Sequence, residues 1–465
     1  MKKVTIIGAG LAGSEAAWQL VKRGIAVRLY EMRPQRMTAA HKTGLFAELV
    51  CSNSFRGRDL SNAVGLLKEE LCLLDSLIMR CAKAAEVPAG GAFAVDRERF
   101  SQGVDNTLRN HPLVEVVEAE VRELPAASIN EPLIIASGPL SSPALVKEIL
   151  KLTGHESLAF YDAISPIVLY DSLNTEKIFR QSRYNKGAGN EYLNIPLTEE
   201  QYKKFVSDIR KAEKYSGNPA VESERLDNIR PFEGCMPIED MVERGEDTLR
   251  YGPLKPVGLT DPVTGKQPYA VIQLRQDNRE GTLWSMVGMQ TRMKRADQKR
   301  IFTSLPGLEK AEFVRFGSVH RNTFIDSPRC LNATLQLRTN PAVFFAGQIT
   351  GTEGYVESTA GGVVAGINAG RLAYGLKPLV FPAETAVGAL LAYISDPDRE
   401  NFQPMNISFG LIPAYSRLAG SRRGGRKIPK KERRIMVAQN ALQLMKNFLV
   451  TQLELERVDY QAADG

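Results

Sequence analysis

The chain has 465 residues, 43% of them apolar, 24% charged and 7% aromatic, which gives room for two or more domains with full cores and excludes a disordered or fibrous protein. Five scattered cysteines without a CxxC pair exclude a disulfide framework, and four dispersed histidines lead us to expect no metal site. The net charge of +7 points to a polyanionic partner. No apolar run approaches the roughly 18 residues that a membrane span needs, so a cytoplasmic protein without membrane association is expected.

In chain order, "KVTIIGAG" reads as a first strand, "SEAAWQLVKRG" as a helix and "IAVRLYEM" as a second strand, a complete βαβ unit. The lysines and apolar run at the start resemble an export signal, but the run leads into glycines and then an acidic residue, as a strand and turn do. GAGLAG at 8–13 fits GxGxxG in the context that this fingerprint requires, after a strand and opening a helix. Gly8 permits the sharp turn, Gly10 lets a pyrophosphate approach the backbone, and Gly13 lets the helix pack on the strand. Ala9, Leu11 and Ala12 complete the cofactor-binding turn. Glu31, eighteen residues beyond Gly13, is placed to accept hydrogen bonds from ribose hydroxyls. The free N–H groups of the helix start favour an anionic group there.

"LLKEELCLLDSLIMRCAKAA" (66–85) reads as one amphipathic helix in which Cys72 and Cys81 act as small hydrophobes. "PLIIASGPL" (132–140) is a second punctuated strand, with Gly138 in its terminal turn. From about 156 to 324 the character changes: "SPIVLYDS" and "YAVIQLRQD" suggest antiparallel strands, and 198–215 an exposed amphipathic helix. Near the end, "AVFFAGQ" leads through a glycine-rich loop into a Gly/Ala-rich helix, bringing Gly347, Gln348 and Tyr355 forward. A second glycine-marked strand–helix junction of this kind closes two-dinucleotide flavoproteins and would aim N–H donors at a flavin, so FAD is expected as the bound cofactor and NAD(P)H as a transient reductant. The expected fold is α/β: a discontinuous Rossmann-like FAD-binding domain (1–155 and 325–465), with an inserted mixed α+β domain (156–324).

Two cysteines stand outside apolar runs. Cys51 in "AELVCSNSFRG" (47–57) lies in a polar, turn-like stretch, and an accessible thiol and a half-buried inert one are both open. Cys235 in "RPFEGCMPIEDM" is held between Pro231 and Pro237 with Glu233 and Glu239 nearby, a rigid polar setting suited to a nucleophilic thiol or to a simple surface loop. Cys330 in "SPRCLN" reads as structural. "RMKRADQKR" (292–300) and the tract 416–434, with nine Lys/Arg and one Glu, read as solvated faces or as phosphate contacts.

"AELVCSNSFRG", "NAVGLLKEE", "GGAFAVDRERF", "RPFEGCMPIEDM", "DTLRYGPLKPVGL", "QLRQDN", "HRNTFIDSP" and "FAGQITGTEGYVES" together resemble the folate- and FAD-dependent tRNA uracil-5-methyltransferases, the TrmFO family, from residue 1 to about 412. The resemblance implies that methylenetetrahydrofolate supplies a one-carbon unit, FAD and NAD(P)H the electrons, and C5 of the T-loop uridine (U54) of tRNA the acceptor. It maps a nucleophilic cysteine onto Cys235, a flavin-proximal one onto Cys51, and a residue beside flavin and folate onto Tyr355. Uracil C5 is a poor nucleophile; thiolate addition at C6 gives it carbanion character, which is why this chemistry needs a cysteine. The competing expectations are a wobble-uridine-modifying flavoprotein of the GidA type, a tRNA-binding flavoprotein chaperone and a plain NAD(P)H oxidase. No obligate protein partner is expected.

Overall fold

The computed structural model describes residues 2–38, 40–154, 158–215, 236–400, 402–418, 422–423 and 426–463. Its first sheet has six strands. Lys3–Ile7 lies between Ala26–Glu31 and Leu133–Ile135, all parallel. Val114–Glu118 extends the sheet beyond Ala26–Glu31, and Asn340–Phe345 extends it beyond Leu133–Ile135. A short antiparallel strand, Gln336–Leu337, closes that edge. The central strands are apolar on both faces because helices cover both, as in Rossmann-like folds.

Two helices pack on this sheet and on each other, Leu11–Val21 and Tyr355–Ala373. Glycine and alanine bring them to backbone distance. A Cβ on Gly362 would stand 2.2 Å from the Ala12 carbonyl oxygen, and one on Gly366 would stand 2.7 Å from that of Ala16. The Gly/Ala richness of the late helix is thus a packing requirement.

A second sheet has the strand order Phe179–Arg180, Tyr192–Leu197, Ala270–Gln276, Leu283–Met286, Ile167–Leu169, Phe313–Arg315, with every pair antiparallel. The helix Glu199–Lys211 packs on it, held at its start by a capping box between Thr198 and Gln201. Two hydrophobic cores result. One draws on residues between Val4 and Ile149 and again from Phe324 to Met445, and the other on residues between Val168 and Ala311. The chain crosses between them on an antiparallel ribbon, Leu158–Ile164 paired with Ser318–Phe324.

The single helix expected at 66–85 is two, Ala63–Leu73 and Leu77–Ala84. Asp75 takes a left-handed conformation (φ 53°), and the Ser76 hydroxyl accepts from the Met79 N–H to start the second helix. The break lets Ser76 and the Ile78 N–H donate to the buried carboxylate of Glu15 at 2.6 and 3.0 Å. Part of the 416–434 tract lies outside the described residues; its described part holds the short hairpin Arg422–Arg423/Arg426–Lys427 and the start of the helix Lys430–Ala463. Among the described residues no helix is long and apolar enough to cross a membrane.

Candidate active site

The C-terminal ends of the parallel strands open into one cleft with a cavity volume of about 140 Å³. Three glycine-marked junctions converge on it: Gly8–Ala12, Ala136–Gly138 and Ala346–Gln348. Gly8, at φ 98°, must be glycine, since a Cβ would also stand 2.6 Å from the Ala136 carbonyl oxygen. A Cβ on Gly13 would sit 1.8 Å from the Gly8 carbonyl oxygen. Gly10 differs: a Cβ there meets nothing within 4 Å, because it would point into open space at the start of the helix Leu11–Val21. A turn bare of side chains, facing a cleft at a helix N-terminus, fits a dinucleotide pyrophosphate.

All the expected cofactor residues except Ala9 and Gly13 line this cleft. Ala9 is buried and its peptide is already committed: its N–H donates to Glu31 Oε2 (2.9 Å), and its carbonyl accepts from the Ala47 N–H (2.9 Å). Glu31 is not waiting on ribose alone, as the sequence suggested. Its Oε1 accepts from the Arg33 N–H (3.0 Å) and Arg33 Nε (2.9 Å). Burial acts to raise the Glu31 pKa, but Arg33 and the backbone N–H groups outweigh it, and the net shift is downward. Glu31 therefore stays ionised, and with three of its four lone pairs engaged, one on Oε2 remains for a ligand. Arg33, two residues beyond the fingerprint, had gone unnoticed. A guanidinium on a fully buried side chain is there for its anion.

At the other end Tyr355 opens the helix Tyr355–Ala373. Its hydroxyl accepts from the Cys51 and Ser52 N–H groups, each at 3.0 Å. Burial, foremost, and the neighbouring Cys51 push its pKa far up, so it stays protonated. The structure thus brings Cys51 and Tyr355 together beside the cleft, and Val50, one residue before Cys51, lines it.

Three arginines grip the Cys51 loop. Arg97 Nη1 donates to the Leu49 carbonyl (2.6 Å), and its Nη2 to that of Cys51 (3.3 Å). Arg315 donates to the Val50 carbonyl (2.6 Å). Arg275 donates to the Ser52 hydroxyl (2.7 Å) and to Asn53 Oδ1 (3.0 Å). Asp277 pairs with Arg97 at 2.9 Å. The sequence reading missed all of these. The available signal was Arg275 itself, a charged residue within the otherwise buried strand Ala270–Gln276.

Cys235 lies outside the described residues. On its far side Ile238 donates its N–H to the Gln290 carbonyl (2.8 Å), while Tyr215 donates to that of Arg292 (2.7 Å). Glu239, four residues beyond Cys235, is buried; its Oε1 accepts from the Thr291 hydroxyl and from the Arg292 and Met293 N–H groups. Burial pushes its pKa up to about 7. Within 292–300, Arg292 is buried against Asp240 (3.0 Å) and is not a surface cation, whereas Lys294, Arg295, Lys299 and Arg300 are exposed. Cys81 and Cys330 sit in the core and Cys72, partly buried, packs against it; burial raises the pKa of all three, those of Cys81 and Cys330 to about 11.

Residues 3–377 match the family model described as Glucose inhibited division protein A. Two similar proteins are named Methylenetetrahydrofolate--tRNA-(uracil-5-)-methyltransferase TrmFO. The one from Symbiobacterium thermophilum is 55% identical over 95% of this chain and 96% of its own length, and the one from Natranaerobius thermophilus 53% identical over 97% and 100%. The fold is similar to that of Aquifex aeolicus GidA, with a TM-score of 0.67 at 16% identity over 99% of this chain and 77% of that one. The chain belongs to the TrmFO family, within the wider group of Glucose inhibited division protein A.

Proposed function

We propose that this protein methylates C5 of the T-loop uridine of tRNA, with methylenetetrahydrofolate as carbon donor, FAD as bound cofactor and NAD(P)H as reductant, in the cytoplasm and without an obligate protein partner. One observation carries the reading: the Cys51 loop is fastened, through Tyr355, to the edge of a dinucleotide cleft in a chain of this family. The chain is read as two domains, a cofactor domain (1–155 and 325–465) and an inserted one (156–324).

FAD, when bound, supplies the electron pair that turns a methylene into a methyl group. Gly8, Gly10, Leu11 and Ala12 would hold its pyrophosphate, Glu31 braced by Arg33 its adenosine end, and Gly138, Gly347, Gln348 and Tyr355 the rest. Both helix starts direct N–H groups at negative charge. Cys235 is assigned the addition to uracil C6, which activates C5, and Cys51 a role beside the methylene being transferred. The exposed Lys294, Arg295, Lys299 and Arg300, with Lys430 and Lys431, suit tRNA phosphates. Such contacts would orient the tRNA and weaken with salt. The target base must leave its stack to reach the cleft.

The test uses flavin-loaded protein, tRNA lacking ribothymidine, labelled methylenetetrahydrofolate and NADPH. Label is expected in the T-loop uridine with wild type and in neither Cys235→Ala nor Cys51→Ala. No label with flavin-loaded wild type overturns the assignment.

A further inference from the structure

We infer that Arg97 and Arg315 are positioning residues that hold the Cys51 thiol as a thiolate at neutral pH, on a loop that Arg275 helps to fix; this rests on Cys51 being a working residue of the proposed reaction. The argument starts from charge. Guanidinium groups remain protonated at any working pH, and a cation withdrawn from water calls for an anion. Arg97 has Asp277. Arg275 and Arg315 have no carboxylate partner among the described residues; they spend their donors on the neutral carbonyl and side-chain oxygens of the loop at 49–53.

The charges facing Cys51 come from every side. Arg97 starts the helix Arg97–Arg109, Arg275 and Asp277 come from the strand Ala270–Gln276 and its end, Arg315 from Phe313–Arg315, and Lys42 and Glu48 from the preceding loop. Arg97 and Arg315 both interact electrostatically with the Cys51 thiol, and both repel Lys42. Tyr355, kept protonated, adds no negative charge. Among the described residues, positive groups are therefore in excess around a half-buried thiol, the setting that lowers a cysteine pKa from its usual value of about 8.5. At the core thiols Cys81 and Cys330 burial outweighs the neighbouring Arg80, Arg329 and Arg338, and these thiols serve as references within the same chain.

The experiment measures the rate of alkylation by iodoacetamide as a function of pH, peptide by peptide, on the full-length flavin-loaded protein. In that reaction the thiolate displaces iodide and forms a thioether. The Cys51 midpoint is expected at least one unit below about 8.5. Arg315→Met should raise it by about one unit, and Arg315→Lys should restore most of the difference. Lys42→Met, which removes a charge and no hydrogen bond made to the loop, should raise it by less and covers the case in which Arg315→Met fails to fold. A wild-type midpoint at or above about 8.5 overturns the inference, as does a midpoint that neither charge-removing variant moves. A low midpoint in a protein that transfers no label to tRNA would leave this inference standing and remove the proposed function.

Discussion

The two halves of the molecule contribute to the site in opposite ways. The parallel-sheet half presents backbone: three strand ends and two helix starts, kept bare by glycine. The antiparallel half presents side chains, with Arg275 and Arg315 reaching across to a loop of the other half and Asp277 to its Arg97. Close packing builds the first contribution, and charge-assisted hydrogen bonds build the second. Substitutions should therefore fail differently in the two halves, sterically in one and electrostatically in the other.

The largest effect is expected at Gly13→Val. Its Cβ would overlap the Gly8 carbonyl, so the turn must move; a loss of about 3 kcal/mol or more and protein purified without flavin are expected, read by urea unfolding and by absorbance near 450 nm. Arg275→Ala comes next. It strips donors from Ser52 and Asn53 in a buried place and should lower stability by about 2–3 kcal/mol while flavin stays bound. Flavin loss in this variant would erase the contrast between the halves. Gly10→Ala sharpens the contrast from the other side. The methyl group has room in the fold, so stability should hold while flavin affinity falls by about tenfold, some 1.4 kcal/mol, measured by flavin titration of the apoprotein.

The smallest effect concerns pH. The Glu239 pKa is raised by burial from 4.5 to about 7, so the folded state binds its proton more tightly than the unfolded state does. Its contribution is fully present below about pH 4.5 and is lost as pH rises through 7. Glu239→Gln should therefore gain about 1 kcal/mol on wild type between pH 5 and pH 6 in urea unfolding. An equal difference at both pH values would show that Glu239 is ionised in the folded protein throughout.

What was legible in the sequence was local. Gly8, Gly10 and Gly13 announce a turn because each serves a backbone need within a few residues of itself, and Glu31 follows at a fixed spacing. Arg33 escaped because its role is to brace Glu31, and the fingerprint stops at the acid. The helix break escaped because Asp75 and Ser76 interrupt an apolar period by only one turn, and the profit of the break, a buried Glu15 with its donors, lies in another element. The arginine clamp escaped for the same reason: Arg97, Arg275 and Arg315 are far apart along the chain, and only Arg275, inside an apolar strand, stands out before the fold brings them together. Arg292 shows the reverse error, since it belongs to a basic run and yet is buried against Asp240.

The glycine seam between Leu11–Val21 and Tyr355–Ala373 has a consequence for biosynthesis. The helix Leu11–Val21 docks against one made roughly 300 residues later. At about 5–20 residues per second, the ribosome leaves the first helix without its partner for tens of seconds. The cofactor cleft can close only after Tyr355–Ala373 has left the ribosome, so flavin capture waits for that helix, and products truncated before it should be unable to sequester the cofactor.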